Sequence, residues 1–130
     1  MIPLPSPRFH SLHVRGLLRK LLTALLVFAA LAAAEGPGFR SRSQFEEHYR
    51  KHGPEFGRIS QQEYLRLAQE LRDARPGGPI LEAVRSDGAF SRFDRHNGYF
   101  GAFNRDRTIR TFFIPNDGER YFRRQIGKSH

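Results

Sequence analysis

The sequence of 130 residues contains no cysteine and no tryptophan. The absence of cysteine excludes disulfide frameworks and metal sites with thiolate ligands. Acidic residues are few, since 13 Asp and Glu stand against 22 Lys and Arg, for a formal net charge of +9. Only Lys20, Lys51 and Lys128 are lysines, so most of the positive charge is guanidinium. This length supports one domain, and the charge favours an anionic partner.

The leader, residues 1–34, contains no acidic residue and carries four basic residues ahead of an apolar run from Leu21 to Ala34. This run is shorter than the about 20 residues of a membrane-spanning helix and has the length of a signal-peptide core. Three alanines end the run, as small residues do before a signal cleavage site. We predict a signal peptide cleaved after Ala34, and hence a secreted or periplasmic protein. The alternative is a short membrane anchor, which Arg19 and Lys20 disfavour.

Two Ser-x-x-Glu capping boxes predict two helices early in the remaining sequence. The first box begins at Ser43 and predicts a helix over about residues 44–52, which Gly53 and Pro54 end. The second box begins at Ser60 and precedes apolar residues at helical spacing. The Arg-Pro-Gly-Gly-Pro stretch that follows is a strong break.

Short runs of aromatic and β-branched residues, separated by turn sequences such as Asp-Gly and Asn-Gly, follow this break. The predicted strands cover residues 80–86, 89–95, 99–104 and 108–114, with a last strand or short helix over residues 119–126. We therefore predict an α+β fold in which two N-terminal helices pack on a four- to five-stranded antiparallel β-meander. The predicted linker is 35–42, the domain 43–126 and the tail 127–130.

Arginines and aromatic residues are interleaved throughout the sheet half of the chain. Guanidinium groups bind phosphates in a bidentate manner and aromatic faces stack on unpaired bases, so the mixture points to a nucleic-acid partner. This arginine set includes Arg92 and Arg123 as substrate-binding candidates. The competing interpretation places the phenylalanines in the core and the arginines on a solvated face.

His48 and His52 are spaced i, i+4 on the first predicted helix, so they project from the same side one turn apart. Imidazole titrates near neutral pH and can act as a general base or acid. No metal is expected, because the glutamate of the His-Glu-x-x-His motif is missing and two cations lie between the histidines. The alternative to catalysis is that the two histidines have a purely structural role. His96-Asn97 is interpreted as turn sequence, and no phosphate loop, dinucleotide fingerprint or Gly-x-Ser-x-Gly motif is present.

Several stretches together carry a family resemblance. They are His48-Tyr-Arg-Lys-His52-Gly-Pro-Glu-Phe-Gly57, Ser60-x-x-Glu63-Tyr64, Arg85-Ser-Asp-Gly88, Arg92-Phe-Asp94, Gly98-Tyr-Phe-Gly-Ala-Phe-Asn104, Thr108-Ile-Arg-Thr-Phe-Phe-Ile-Pro115 and Tyr121-Phe122. In order and spacing they resemble the C-terminal tRNase domain of contact-dependent growth inhibition toxins, which are filamentous-haemagglutinin-like proteins. That domain belongs to the barnase/EndoU/colicin/RelE-like superfold, and the resemblance covers about residues 39–125.

The resemblance implies metal-independent cleavage of tRNA or other RNA, in which the ribose 2′-OH attacks its own phosphate and leaves a 2′,3′-cyclic phosphate. The implied site consists of His52, His48, Arg85 and Thr111 as catalytic residues and of Arg110 and Tyr121 as substrate-binding residues. The resemblance leaves open which histidine is the base. It implies no cofactor, and an acidic immunity protein as a partner for the toxin.

The enzyme hypothesis makes two geometric demands. His52 and Arg85 must converge on one cleft. Arg110 and Thr111 are neighbours and point to opposite faces of a regular strand, so both can serve one site only if a β-bulge intervenes. The alternative hypothesis is a secreted, non-enzymatic basic module that binds nucleic acid or an acidic protein, which needs only a basic surface.

Overall fold

The computed structural model describes Pro3 and residues 36–128, and the latter belong to one compact unit. The predicted signal peptide lies outside the described residues, apart from Pro3. The helices are α1 (Arg42–His52), α2 (Gln61–Asp73) and α3 (Glu119–Gly127), with a 3₁₀ turn at Gly53–Phe56, and the strands are β1 (Ile80–Val84), β2 (Phe90–Asp94), β3 (Tyr99–Phe103) and β4 (Ile109–Phe113). The fold is α+β, with three helices and a four-stranded antiparallel sheet. No helix of the described residues is long and apolar enough to cross a membrane.

The strands form a meander in the order β1-β2-β3-β4, as predicted. Gly88 and Gly98 occupy the first two turns with φ of 88° and 77°, a region that favours glycine. His96 and Asn97 belong to the second turn, where both bind the carboxylate of Asp94. Their interpretation as turn residues is confirmed. The last predicted element, a strand or short helix over residues 119–126, is the helix α3.

Serine caps begin both N-terminal helices. Ser60 accepts a hydrogen bond from the backbone N–H of Glu63, as the second capping box predicts. The first box was wrong in its residue, because the cap is Ser41, whose extended backbone lets its hydroxyl accept from the N–H of Gln44. Helix α1 therefore begins before the predicted position.

Two apolar cores lie on the two faces of the sheet. The first contains Tyr64, Ala68, Leu71, Phe90, Phe103, Ile109 and Phe112, and joins α2 to the sheet. The second contains Phe93, Phe100 and Phe122, and joins α3 to the sheet. These phenylalanines are core residues, as the competing interpretation held. Successive strand residues point to opposite faces, which explains why neighbouring aromatic residues divide between the two cores.

The segment predicted as a linker is part of the folded domain from Gly36 onward. Phe39 forms a parallel bridge to Ile109, and the N–H of Ile109 donates to the carbonyl of Gly38 at 2.9 Å. Arg72, only 1% exposed, donates to the carbonyl of Pro37. The sequence around this segment does not show these anchors, because Arg72 and Ile109 lie far from it along the chain.

The buried Arg72 guanidinium also donates two hydrogen bonds to Asp73, at 2.9 Å each. Partial burial acts to raise the pKa of Asp73, but hydrogen bonds from Arg72 and Arg107 hold this pKa below its usual value. The carboxylate therefore stabilises the fold fully above its unfolded-state pKa of about 3.9. This contribution is lost as the pH falls through the lower folded-state pKa.

Replacing Arg72 by methionine is expected to lower the free energy of unfolding by about 2–4 kcal/mol, because several polar groups lose a buried partner. Urea unfolding at neutral pH measures this change. Arg75→Met is the control, since Arg75 is exposed and forms no ion pair with the described residues. Equal stability of the two variants would contradict the anchoring role of Arg72.

Candidate functional site

His52 ends α1, and Glu55 and Phe113 hold its imidazole. Its Nδ1 lies 2.6 Å from Oε2 of Glu55, and the other oxygen of that carboxylate accepts the N–H of Ile114 at 3.0 Å. The imidazole stacks on Phe113 with ring centroids 5.0 Å apart. Because an ionised carboxylate can only accept, Nδ1 carries a proton and Nε2 is the nitrogen left for other chemistry.

His48 lies one turn earlier, and its Nδ1 is 2.8 Å from the carbonyl oxygen of Gln44. A carbonyl also only accepts, so this ring too carries its proton on Nδ1 and keeps Nε2 for other chemistry. The ring centroids of His48 and His52 are 6.1 Å apart. The i, i+4 spacing therefore yields two fixed imidazoles with the same nitrogen uncommitted.

The two histidines line a cavity of about 360 Å³, which we call the histidine cavity. Thr111 and Tyr121 line it as well, so four of the predicted site residues meet here. Lys51 and Glu47 line it too, so one cation and one carboxylate share this cavity. Burial raises the pKa of Tyr121 more than nearby Arg124 lowers it, so the phenol keeps its proton and can donate a hydrogen bond.

A second cavity of about 380 Å³ adjoins the first and shares Thr111 and Tyr121 with it. We call it the arginine cavity, because Arg85 and Arg110 line it. Its floor is a row of small side chains in register across all four strands: Ala83, Ser91, Ala102 and Thr111. Residues of α3 line it as well. We call the two cavities together the groove, and Thr111 and Tyr121 are the residues common to both.

A β-bulge in β4 brings Arg110 and Thr111 to the same cavity. Ala102 pairs with Thr111 and Phe103 pairs with Ile109, so Arg110 is the extra residue between the two pairs. The bulge meets the second geometric demand, because both side chains line the arginine cavity.

Asn104 holds the side chain of Arg110. Its Oδ1 accepts a hydrogen bond from Nε of Arg110 at 2.6 Å. Asn104 is itself buried and donates to the hydroxyl of Thr108 at 2.8 Å. Because Asn104 is neutral, it positions the guanidinium without cancelling its charge.

The cations of the groove have no acidic partner. Lys51, Lys128, Arg85 and Arg110 line it, and none forms an ion pair with a carboxylate of residues 36–128. Arginines elsewhere in this part of the chain that do pair with carboxylates are Arg40, Arg42, Arg66, Arg72, Arg92, Arg95, Arg107, Arg123 and Arg124. Against these four cations the linings of the two cavities contain one carboxylate, Glu47, and the net positive charge favours an anionic ligand.

Three of the predicted assignments need correction. Arg92 is buried and bonds Glu82 and backbone carbonyls on the α2 side of the sheet, so it cannot reach a ligand in the groove. Arg123 pairs with Glu119 and lines neither cavity. Arg85 lies in the arginine cavity and not with the histidines, which makes it a candidate for substrate binding and not for catalysis. The first geometric demand is not met as stated, because His52 lines the histidine cavity and Arg85 lines the arginine cavity, and the two cavities share Thr111 and Tyr121.

Sequence reasoning missed Glu55, Lys51, Lys128 and Asn104. Glu55 follows His52 by three residues across Gly-Pro, a spacing that could have suggested a carboxylate partner. Lys51 was counted only as a charge that disfavours metal. The other two reach the groove through tertiary structure, and no local pattern marks them. Within residues 36–128, no group of three or more His, Asp and Glu side chains is arranged to hold a metal ion.

Comparison with protein-family models and with curated protein sequences finds no match for this chain.

Proposed function

We propose that the domain is a metal-independent endoribonuclease whose groove binds an RNA strand. The observation that carries the proposal is the pair of fixed histidines sharing one cavity with Thr111 and Tyr121, next to cations that form no ion pair with a carboxylate of residues 36–128. Two imidazoles can supply both proton transfers that cleavage of a phosphodiester by its own 2′-OH requires.

In the proposed reaction, Nε2 of one histidine removes the proton from the ribose 2′-OH as the oxygen attacks phosphorus. The bond from phosphorus to the 5′ oxygen breaks, and Nε2 of the other histidine, initially protonated, gives that oxygen a proton. The products are a 2′,3′-cyclic phosphate and a 5′-OH. Either of His48 and His52 can take either role, because both present the same nitrogen.

Negative charge builds up on the phosphoryl oxygens during this step. Lys51 and the hydroxyls of Thr111 and Tyr121 line the cavity where it develops and are the candidates to stabilise it. Arg85 and Arg110 lie in the adjoining cavity and hold a neighbouring phosphate of the strand. The uncleaved part of the substrate thereby positions the reacting bond.

The sequence resemblance extends the proposal to biology. It favours tRNA as the substrate, a toxin role and an acidic immunity protein that covers the groove. Export fits the predicted signal peptide, and mass spectrometry of protein from a bacterial periplasm tests it by locating the N-terminus. An N-terminus at Glu35 supports cleavage after Ala34, whereas an intact leader contradicts it.

The test of the activity is incubation of the full chain with total tRNA in excess EDTA. Cleavage products ending in a 2′,3′-cyclic phosphate support the mechanism, and intact tRNA overturns it. The competing function is a binding module without catalysis. It predicts that the chain retards tRNA on a gel and leaves it uncut.

Glu55→Gln tests the positioning of His52. We expect RNA cleavage to slow by about tenfold to a hundredfold, because the neutral amide no longer fixes the Nδ1 proton or stabilises an imidazolium. The expected change is in kcat with little change in KM, and Glu55→Asp is expected to recover part of the loss. The control is Glu70→Gln, on the exposed side of α2, with wild-type kinetics expected. A change in KM alone would contradict the positioning role.

A further inference from the structure

Val84 and Ile126 are the large apolar side chains that the described part of the chain leaves exposed, at 66% and 45%. They come from different elements, β1 and α3, yet both line the arginine cavity. Exposed apolar side chains scattered singly need no explanation, but two that converge on one concavity mark a binding site.

The same cavity carries Arg85, Arg110 and Lys128, none of which pairs with a carboxylate of the described residues. A cleft with apolar walls and a cationic rim matches a nucleotide, because a nucleobase has apolar faces and its phosphate is an anion. The volume of about 380 Å³ falls within the range of about 300–1,000 Å³ typical of small-ligand sites.

We propose that the arginine cavity is a subsite for one unpaired nucleotide next to the cleaved bond, with its base against Val84 and Ile126 and its phosphate at Arg85 and Arg110. The substrate class is therefore single-stranded RNA, as in loops and ends. In a duplex each base face is covered by its neighbour in the stack, so only phosphates would reach the cavity. This inference rests on the proposed function.

The cavity's position favours a nucleotide over a protein partner. It shares Thr111 and Tyr121 with the histidine cavity. A strand whose phosphate lies in the histidine cavity can therefore place an adjoining nucleotide in the arginine cavity. An acidic protein would satisfy the cations but has no need of a cleft open toward two imidazoles.

Binding is measured by fluorescence anisotropy in the full chain carrying His52→Ala, in which cleavage is expected to be too slow to deplete the probe during the measurement. The probes are a short single-stranded RNA, the same strand with abasic sites, and its blunt duplex. We expect the single strand to bind about tenfold more tightly than either other probe, since burial of a base face against two aliphatic side chains contributes that much. Equal affinities for all three probes overturn the subsite.

Two substitutions separate the parts of the subsite. Val84→Ser together with Ile126→Ser is expected to weaken binding of the single strand about tenfold and to leave binding of the abasic strand unchanged. Arg85→Ala is expected to weaken binding of all three probes and to reduce the salt dependence of that binding, because one phosphate contact is lost. Arg75→Ala, exposed and outside the groove, is the matched control. If the protein with Val84→Ser and Ile126→Ser binds every probe as tightly as the His52→Ala protein without them, the base does not contact these two residues.

Cleavage by the chain with intact histidines distinguishes the inference from the proposed function. Equal cleavage of loops and duplexes overturns the subsite and leaves the ribonuclease standing. Base-dependent binding without any cleavage supports the subsite and overturns the ribonuclease. Binding of an acidic protein with no RNA binding overturns both.

Discussion

Alanine in place of His52 is expected to slow RNA cleavage by about 10³-fold while RNA binding and the fold are retained. General acid or base catalysis by one side chain contributes about 10²- to 10⁴-fold, and His52 is the histidine whose orientation the structure fixes most completely. Glu55 holds its Nδ1, and Phe113 holds the plane of its ring. Single-turnover cleavage of a labelled RNA loop measures the change in the chemical step alone.

The chain supplies a matched control for this variant. His96 is an exposed histidine in the turn before β3, outside both cavities, so His96→Ala is expected to cleave RNA like the wild type. His48→Ala is expected to behave like His52→Ala, because the mechanism needs both an acid and a base. If His52→Ala and His96→Ala cleave RNA equally, the two-histidine mechanism is wrong.

Ala102→Leu is expected to reduce cleavage at least about a hundredfold without removing any polar group. Ala102 lies in the middle of the groove floor, between Ser91 and Thr111 in the cross-strand row. A leucine there fills space that the substrate strand must cross, and a displacement of about 1 Å at the reacting bond costs about a hundredfold in rate. The expected change appears both in KM and in kcat.

The control for this steric variant is Ala74→Leu, which makes the same change just after α2, outside the groove. Circular dichroism and thermal unfolding of both variants check that the fold survives. Wild-type cleavage by a folded Ala102→Leu protein would show that RNA does not cross the sheet along this row.

The sequence predicted the fold well where the signals were local. Capping serines and Gly-containing turns determine helix starts and hairpins within a few residues, and alternation separates the two faces of the strands. The predictions were wrong where a segment is held by residues far away along the chain. Residues 36–41 look like a linker because their partners, Arg72 and Ile109, lie more than thirty residues away.

The site shows the same division. The spacing of His48 and His52 predicts that they share a side of one helix, and the structure places them in one cavity. The burial of Arg92 is not visible in sequence, because a strand arginine can face water or can bond a carboxylate and carbonyls across the sheet. Composition gives the charge of the domain, but only tertiary structure decides which arginines remain without an acid.

The bulge at Arg110 has a consequence for how this strand can change in length. Ile109 and Phe112 are three positions apart and both belong to the first core, which a regular two-residue repeat does not allow. Deleting Arg110 would restore the repeat and keep Ile109 and Phe112 on the core face and Thr111 on the groove face, but it would remove one guanidinium from the arginine cavity. The extra residue therefore serves the groove and not the interior, and a homologue without it is expected to bind RNA less tightly.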